Sequence, residues 1–124
     1  MNNHAETKLV KAVVQNYIDG TYEADTVKLE GVFHKQAIVS GYLGPNALLV
    51  KPDVFIQAIA GSPSMKSKNH PYTAEIESIR IEGNIASVTL SESGFNGDTN
   101  LVDHFHLIKE DGEWKIISKL FTTI

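Results

Sequence analysis

The first part of the chain repeats its apolar residues with the period of an α-helix. Six of them recur at i, i+1, i+4, i+5, i+8 and i+9, namely Leu9, Val10, Val13, Val14, Tyr17 and Ile18. This spacing places them on one stripe of a helix, with polar residues on the opposite side. We predict a helix over residues 5–19 that ends at Gly20, because glycine commonly terminates helices.

Shorter patterns between residues 24 and 70 predict two more helices, one strand and a loop. A helix over residues 24–31 has Asp25 as its candidate N-cap. The β-branched run 37–43 predicts a strand that closes in a Gly-Pro turn. A third helix is predicted over residues 52–60, with proline in its first turn, and residues 61–70 are predicted to form a surface loop.

The second half of the chain has the pattern of strands joined by tight turns. Gly83-Asn84 and Asp111-Gly112 are typical two-residue hairpin turns. The four predicted strands are 73–82, 85–95, 100–110 and 113–122. Helices that precede an antiparallel meander indicate an α+β fold. We therefore predict a single domain over residues 1–124, with three N-terminal helices packed on a curved antiparallel sheet that encloses a pocket.

The register of the last hairpin decides which side chains face the pocket. With Glu110 opposite Glu113, the face that we assign to the helices carries Asp103, Phe105, Leu107, Trp114, Ile116, Ser118 and Leu120. The other face carries His104, His106, Ile108, Lys115, Ile117 and Lys119. A slip of one residue would exchange the faces, and a bulge would bring Asp103 and Lys119 together. The second face is mixed in polarity and suits a dimer interface.

Composition and charge exclude several classes of protein. The formal net charge is −4 without a basic stripe, so we expect no nucleic-acid partner. The chain has no cysteine, which excludes disulfides and thiolate sites. No apolar run approaches the roughly 20 residues that span a bilayer. The polar first residues do not resemble a signal peptide, and we expect a cytoplasmic protein without a membrane partner.

Asp103 is the strongest candidate for chemistry. A carboxylate in an apolar pocket has a raised pKa and can act as a general base. The alternative is that Asp103 lies at the pocket mouth or pairs with a lysine. His104 and His106 point the same way, but a third metal ligand is missing at a matching spacing, so we expect no metal and no cofactor. Interface or exposed histidines are the plainer interpretation.

Several segments resemble the nuclear transport factor 2-like superfamily, and more narrowly its branch of putative lumazine-binding proteins. The segments that carry the resemblance are Tyr17–Tyr22, Leu29–Ala37, Gly83–Val88, Asp103–Leu107 and Asp111–Phe121. The resemblance implies a cone-shaped fold, a deep pocket between the sheet and the first helices, and dimers packed through the outer sheet face. The superfamily includes isomerases, dehydratases, cyclases and binding domains, so the fold alone does not assign a function.

Three functional hypotheses remain open at this point. The first is a domain, binding or accessory, that holds a small apolar or aromatic molecule in a pocket lined by Tyr17, Phe33, Tyr42, Phe55, Ile59, Asp103, Phe105, Trp114 and Ser118. The second is an isomerase-, dehydratase- or cyclase-like enzyme with Asp103 as general base. The third is an interaction protein with a vestigial pocket, which forms a homodimer through His104, His106, Ile117 and Lys119.

Overall fold

A computed structural model describes residues 4–124, in which three helices cover one face of a six-stranded sheet. The helices are α1 (His4–Glu23), α2 (Thr26–Val32) and α3 (Pro52–Ala60). The strands are β1 (Phe33–Leu43), β2 (Asn46–Val50), β3 (Thr73–Glu82), β4 (Ile85–Phe95), β5 (Thr99–Glu110) and β6 (Glu113–Thr123). Their order is β2-β1-β6-β5-β4-β3, and every pair is antiparallel except β1–β6. The predicted α+β architecture is confirmed.

Helix α1 continues past Gly20, so the predicted helix end is wrong. A Cβ atom at Gly20 would lie 2.9 Å from Cγ of Leu29, which belongs to α2. The lack of a side chain at Gly20 therefore allows α1 and α2 to pack closely together. The helix ends instead near Ala24, whose φ is +55°. The predicted N-cap of α2 is confirmed, because Lys28 N–H donates to Asp25 Oδ1 over 3.1 Å.

Strand β1 begins four residues earlier than predicted, and strand β2 was not predicted. His34 lies in β1, with Nε2 3.1 Å from Oε1 of Glu110. Strand β2 has only five residues and lies at the sheet edge, where few of its side chains are buried. A strand without a buried face carries no alternating pattern that sequence reasoning could detect.

A β-bulge in the last hairpin changes the register that the sequence predicted. Leu107 pairs with Ile116 as predicted, but His106 pairs with Ser118, so Ile117 is an extra residue. The predicted pairs of Phe105 with Ser118 and of Asp103 with Leu120 are therefore wrong. Beyond the bulge Phe105 pairs with Lys119, and Asp103 with Phe121. Because an extra residue reverses the alternation along one strand, Lys119 and Phe121 face inward while Ser118 and Leu120 face outward.

The core lies between the helices and the inner face of the sheet. Val10, Val14 and Tyr17 of α1 are buried there, with exposed fractions of 0%, 0% and 1%. The same core contains Phe105 and Leu107 of β5. None of the helices described between residues 4 and 124 is long and apolar enough to cross a bilayer.

Candidate functional site

Asp103 and Lys119 form an ion pair inside the core. Asp103 is 0% exposed and Lys119 is 5% exposed. Lys119 Nζ lies 3.5 Å from Asp103 Oδ1, an ionic contact that lacks the geometry of a hydrogen bond. The bulge at Ile117 produces this pair, because it turns Lys119 towards the face that carries Asp103. Lys119 therefore does not lie on the outer face, where it was predicted to contribute to a dimer interface.

Aromatic rings surround the Lys119 ammonium. Its Nζ lies 4.0 Å from the ring centre of Phe121, 4.7 Å from that of Phe55 and 5.8 Å from that of Tyr17. Distances within about 6 Å allow cation–π attraction, which grows when the cation is desolvated. Tyr17 also stacks on Phe55, with ring centres 5.9 Å apart, and meets Phe105 edge-on at 4.9 Å. The interior thus holds one cation between a carboxylate and aromatic faces.

A second buried carboxylate lies on the neighbouring strand. Glu92 of β4 is 3% exposed, and its Oε2 accepts a hydrogen bond of 2.7 Å from the Tyr72 hydroxyl. Leu90 pairs directly with Asp103, so Glu92 and Asp103 are diagonal neighbours on the inner face. Such diagonal Cβ atoms lie roughly 7–8 Å apart. The two carboxylates therefore belong to one polar strip within the core.

Several oxygen atoms of this strip have no hydrogen-bond partner in the described chain. They are Oδ1 and Oδ2 of Asp103, Oε1 of Glu92 and the Thr21 hydroxyl. More than nine in ten buried polar groups in proteins are hydrogen-bonded, and each exception requires an explanation. Three of these atoms belong to the two carboxylates, and a further buried atom without a partner among residues 4–124 is Nδ1 of His70, in the segment before β3. We call Tyr17, Thr21, Tyr72, Glu92, Asp103 and Lys119 the inner polar cluster.

Burial changes the proton affinities within the inner polar cluster. Desolvation raises the pKa of Asp103, although the charge of Lys119 opposes part of the shift. Desolvation likewise lowers the pKa of Lys119, opposed by Asp103. Burial and the Asp103 carboxylate raise the pKa of Tyr17 and of Tyr72, so both phenols stay protonated donors. The two members of the ion pair are thus closer in proton affinity than the free side chains.

The segment from Gly61 to Pro71 closes the mouth of the cone. Met65 is 4% exposed, and its sulfur accepts a hydrogen bond of 3.2 Å from Asn96 N–H. Lys66 N–H donates to the Tyr22 carbonyl at the end of α1, over 3.0 Å. A small, partly open cavity of about 50 Å³ lies beside this segment, with Thr21 and Ile59 in its wall. We call residues 61–71 the closing segment.

The residues predicted to line the pocket do not all lie on one face of the sheet. Tyr17, Phe33, Phe55 and Phe105 pack against one another in the core, so side chains fill the space expected for a pocket. Tyr42 is 51% exposed on the outer face, where Ser118 also points, and their assignment to the pocket is wrong. They were misplaced because the register beyond Ile117 and the face of β1 could not be read from alternation alone.

Trp114 faces inward as predicted, but it belongs to a different contact. Its indole N–H donates to Glu6 Oε2 over 3.0 Å, and Lys109 Nζ donates to Oε1 of the same carboxylate. These two hydrogen bonds lower the pKa of Glu6. The contact ties the start of α1 to the β5–β6 hairpin, at a distance from the inner polar cluster along the sheet.

The outer face of the sheet carries an exposed apolar patch. Its large side chains are Ile38, Tyr42, Leu49 and Leu120, with exposed fractions of 52%, 51%, 77% and 52%. A groove of about 510 Å³ runs between them and His104. His104 and His106 point outward as predicted, and Ile117 lies half-buried at the bulge. No metal-binding group of three or more His, Asp or Glu side chains occurs among residues 4–124.

Sequence reasoning missed Glu92, Tyr72 and Thr21. A signal for Glu92 was present in β4, where Ala86, Val88 and Leu90 alternate as the buried phase. Glu92 continues the same phase, so a carboxylate on the apolar side of a strand marks a buried charge. Tyr72 and Thr21 gave no such signal, because Tyr72 lies just before β3 and Thr21 lies near the end of α1.

Comparison with known proteins agrees with this fold. The family model described as putative lumazine-binding matches residues 5–122. A nuclear transport factor 2-like protein of unknown function from Silicibacter pomeroyi has a TM-score of 0.89 at 21% identity, with both chains fully covered. One from Shewanella baltica has a TM-score of 0.88 at 24% identity and covers 100% of this chain and 98% of its own.

A more distant structure is described as ketosteroid isomerase-like. It comes from Erwinia carotovora and has a TM-score of 0.71 at 15% identity, covering 98% of each chain. At these identities the similarity shows the fold alone. No curated protein sequence matches this chain.

Proposed function

The chain belongs to the putative lumazine-binding family, and we propose that it binds a small molecule at the inner polar cluster. The observation that carries the proposal is Asp103, which is 0% exposed and whose two carboxylate oxygens receive no hydrogen bond from the part of the chain that the structure describes. Leaving a buried acceptor without a donor costs about 1–3 kcal/mol, and more for a charged group. A ligand that donates to Asp103 would recover this free energy on binding.

The aromatic surroundings support a ligand with a flat apolar part. Tyr17 and Phe55 offer ring faces beside Lys119, the partner of Asp103, and Phe105 meets Tyr17 edge-on. Small-molecule sites typically combine such apolar walls with a few polar groups that fix orientation. Because side chains fill the interior, binding requires the closing segment or Phe55, which is only half-buried, to move aside.

A ligand panel tests this proposal. We expect at least one small aromatic molecule from a panel of flavins, pterins and aromatic acids and bases to raise the melting temperature of the protein. The Asp103→Asn variant should lose most of the shift, while Asp98→Asn, which removes an exposed carboxylate from the β4–β5 turn, should keep it. Absence of any shift, or an equal shift in both variants, contradicts the proposal.

A second candidate function is an enzyme of the isomerase or dehydratase kind, with Asp103 as general base. The raised pKa of the buried Asp103 carboxyl favours it, because a base works best when its pKa lies near the operating pH. The ketosteroid isomerase-like description of one structural neighbour points the same way. We expect Asp103-dependent exchange of α-protons for deuterium in cyclic ketones, followed by NMR. Exchange equal to that of Asp103→Asn would exclude this candidate.

We further propose that two copies of the chain associate through the outer sheet face. Exposed apolar side chains concentrate there, and large contiguous apolar patches are typical of interaction sites. Leu120→Glu should shift the protein to monomer in light scattering. Val27→Glu, on α2 at the helical side, replaces a 77% exposed apolar residue and should leave the mass unchanged. A monomeric wild-type protein at micromolar concentration contradicts the proposal.

Two further expectations rest on the sequence and stay predictions. A cytoplasmic location stays a prediction and is tested by fractionating cells that produce the protein. The third hypothesis, an interaction protein with a vestigial pocket, predicts a stable dimer in which no member of the ligand panel binds. It is distinguished from the first by combining the melting and light-scattering measurements.

A further inference from the structure

The inner polar cluster holds two carboxylates and one cation. Among residues 4–124, three carboxylate oxygens lack a hydrogen-bond partner, two on Asp103 and one on Glu92. A carboxylate that is ionised only accepts hydrogen bonds. Lys119 supplies one positive charge against these two acidic groups, and its Nζ contacts Asp103 alone among them. Glu92 receives one bond from the Tyr72 hydroxyl, which carries no charge.

The surroundings of Lys119 indicate what kind of group this interior stabilises. Its ammonium lies against Asp103 and over the rings of Phe121 and Phe55, at 4.0 and 4.7 Å from their centres. Carboxylates and aromatic faces both attract cations, and each attraction is stronger where water is excluded. Glu92 lies in the same aromatic interior, because Tyr72 stacks on Tyr22 at 5.9 Å and meets Phe95 at 6.3 Å. No ion pair of Glu92 occurs within residues 4–124.

We propose that the ligand of the inner polar cluster is a small planar nitrogen base whose protonated N–H groups donate to Asp103 and Glu92. This inference rests on the proposed function and assigns its ligand class. An amidine, a guanidine or an amino-substituted heteroaromatic ring has the required N–H donors at its edge and a flat face for the aromatic rings. The roughly 7–8 Å between diagonal Cβ atoms matches one small ring held between two carboxylates.

An anion of the same shape would interact unfavourably with this cluster. It would bring further acceptors towards three oxygens that already lack donors, and its charge would be desolvated next to two carboxylates. Only Lys119 would favour it, and Asp103 already contacts that ammonium. The charged and hydrogen-bonding groups of the cluster therefore discriminate between ligands of equal size by the sign of the ligand's charge.

Three probes of nearly identical shape test the inference. Benzamidine is a planar cation with N–H donors, benzamide is its neutral counterpart, and benzoate is its anion. We expect calorimetric titration of the wild-type protein to give an affinity order of benzamidine, then benzamide, then benzoate. NMR amide shifts should place the benzamidine effect at Thr21, Tyr72 and Glu92. Charge-assisted hydrogen bonds are roughly twice as strong as neutral ones.

Glu92→Gln removes the charge but keeps the side-chain shape. It should weaken benzamidine binding about tenfold or more and leave benzamide nearly unchanged, since one charge-assisted bond is lost. Glu75→Gln is the matched control, because Glu75 is an exposed carboxylate on the adjacent strand β3. It should change neither affinity. Circular dichroism spectra confirm that each variant is folded before its affinity is compared.

The possible failures are distinguishable. Tighter binding of benzoate than of benzamidine at the same amides overturns the ligand class and leaves the proposed function intact. Benzamidine binding that Glu92→Gln does not weaken also overturns the inference. If none of the three probes binds, the ligand class is wrong. The proposed function fails as well only when the wider panel gives no Asp103-dependent shift.

Discussion

Asp103 and Lys119 stabilise each other, yet the pair as a whole contributes little to folding. Both charges lose hydration in the core, and their mutual attraction over 3.5 Å offsets only part of that cost. A buried pair without full hydrogen bonding is therefore weak evidence for stability.

Removing one member of the pair should be far worse than removing both. We expect Lys119→Met to lower the free energy of unfolding by about 3–5 kcal/mol, because Asp103 is left as a buried, unpaired charge. The double variant Asp103→Leu with Lys119→Met should be nearly as stable as the wild type. Urea unfolding of the wild type, Lys119→Met and the double variant checks this, and a double variant no more stable than Lys119→Met would contradict it.

The pH dependence of stability should reveal the raised pKa of Asp103. Its native pKa lies above its ordinary value of 3.8, so the native state binds more protons than the unfolded state in the interval between the two values. The stability that Asp103 contributes relative to Asp103→Asn should thus be largest in acid and decline as pH rises through that interval. Urea unfolding between pH 3 and 8 measures it.

Glu6 provides a control, because its contribution to the free energy of unfolding should change with pH in the opposite direction. Hydrogen bonds from Lys109 and Trp114 lower its pKa below the ordinary value of 4.5. Its contribution relative to Glu6→Gln should therefore be present above pH 4.5 and disappear as the pH falls through the native pKa. If both differences changed with pH in the same direction, the assignment of the two carboxylates would be wrong.

The elements of this protein differ in how far the sequence predicts them. Helix α1 and strands β3 to β6 follow from apolar periodicity and from the Gly-Asn and Asp-Gly turns. The bulge does not, because Ile116 and Ile117 are equally apolar and either could face inward. That single residue decides whether Lys119 is predicted in the pocket or on the surface. The inner polar cluster was therefore only partly predictable.

The closing segment should control how fast a ligand reaches the cluster. Met65→Ala truncates the buried side chain by which the closing segment packs onto the domain. We therefore expect benzamidine to bind in the interior several-fold faster. Lys68→Ala, an exposed position of the same segment, should leave the rate unchanged. Stopped-flow measurement of tyrosine and tryptophan fluorescence tests this. Equal rates in both variants would indicate another route of access.

The molecule as a whole presents two surfaces with different roles. The inner face of the sheet carries buried carboxylates beneath helices, whereas the outer face carries exposed apolar side chains around His104. The sequence predicted two such faces but assigned Tyr42, Ser118 and Lys119 to the wrong ones. Association through the outer face would leave the closing segment free, because that segment contacts Tyr22 and Asn96 at the mouth of the cone.

The most direct measurement is a crystal structure of the protein soaked with benzamidine. We expect electron density for the ring inside the cone, with amidine nitrogens about 2.7–3.2 Å from carboxylate oxygens of Asp103 or Glu92. Met65 or Phe55 should be displaced to admit it. An interior that stays closed, with benzamidine bound only at the outer face or not at all, would contradict the assignment of a planar nitrogen base to the inner polar cluster.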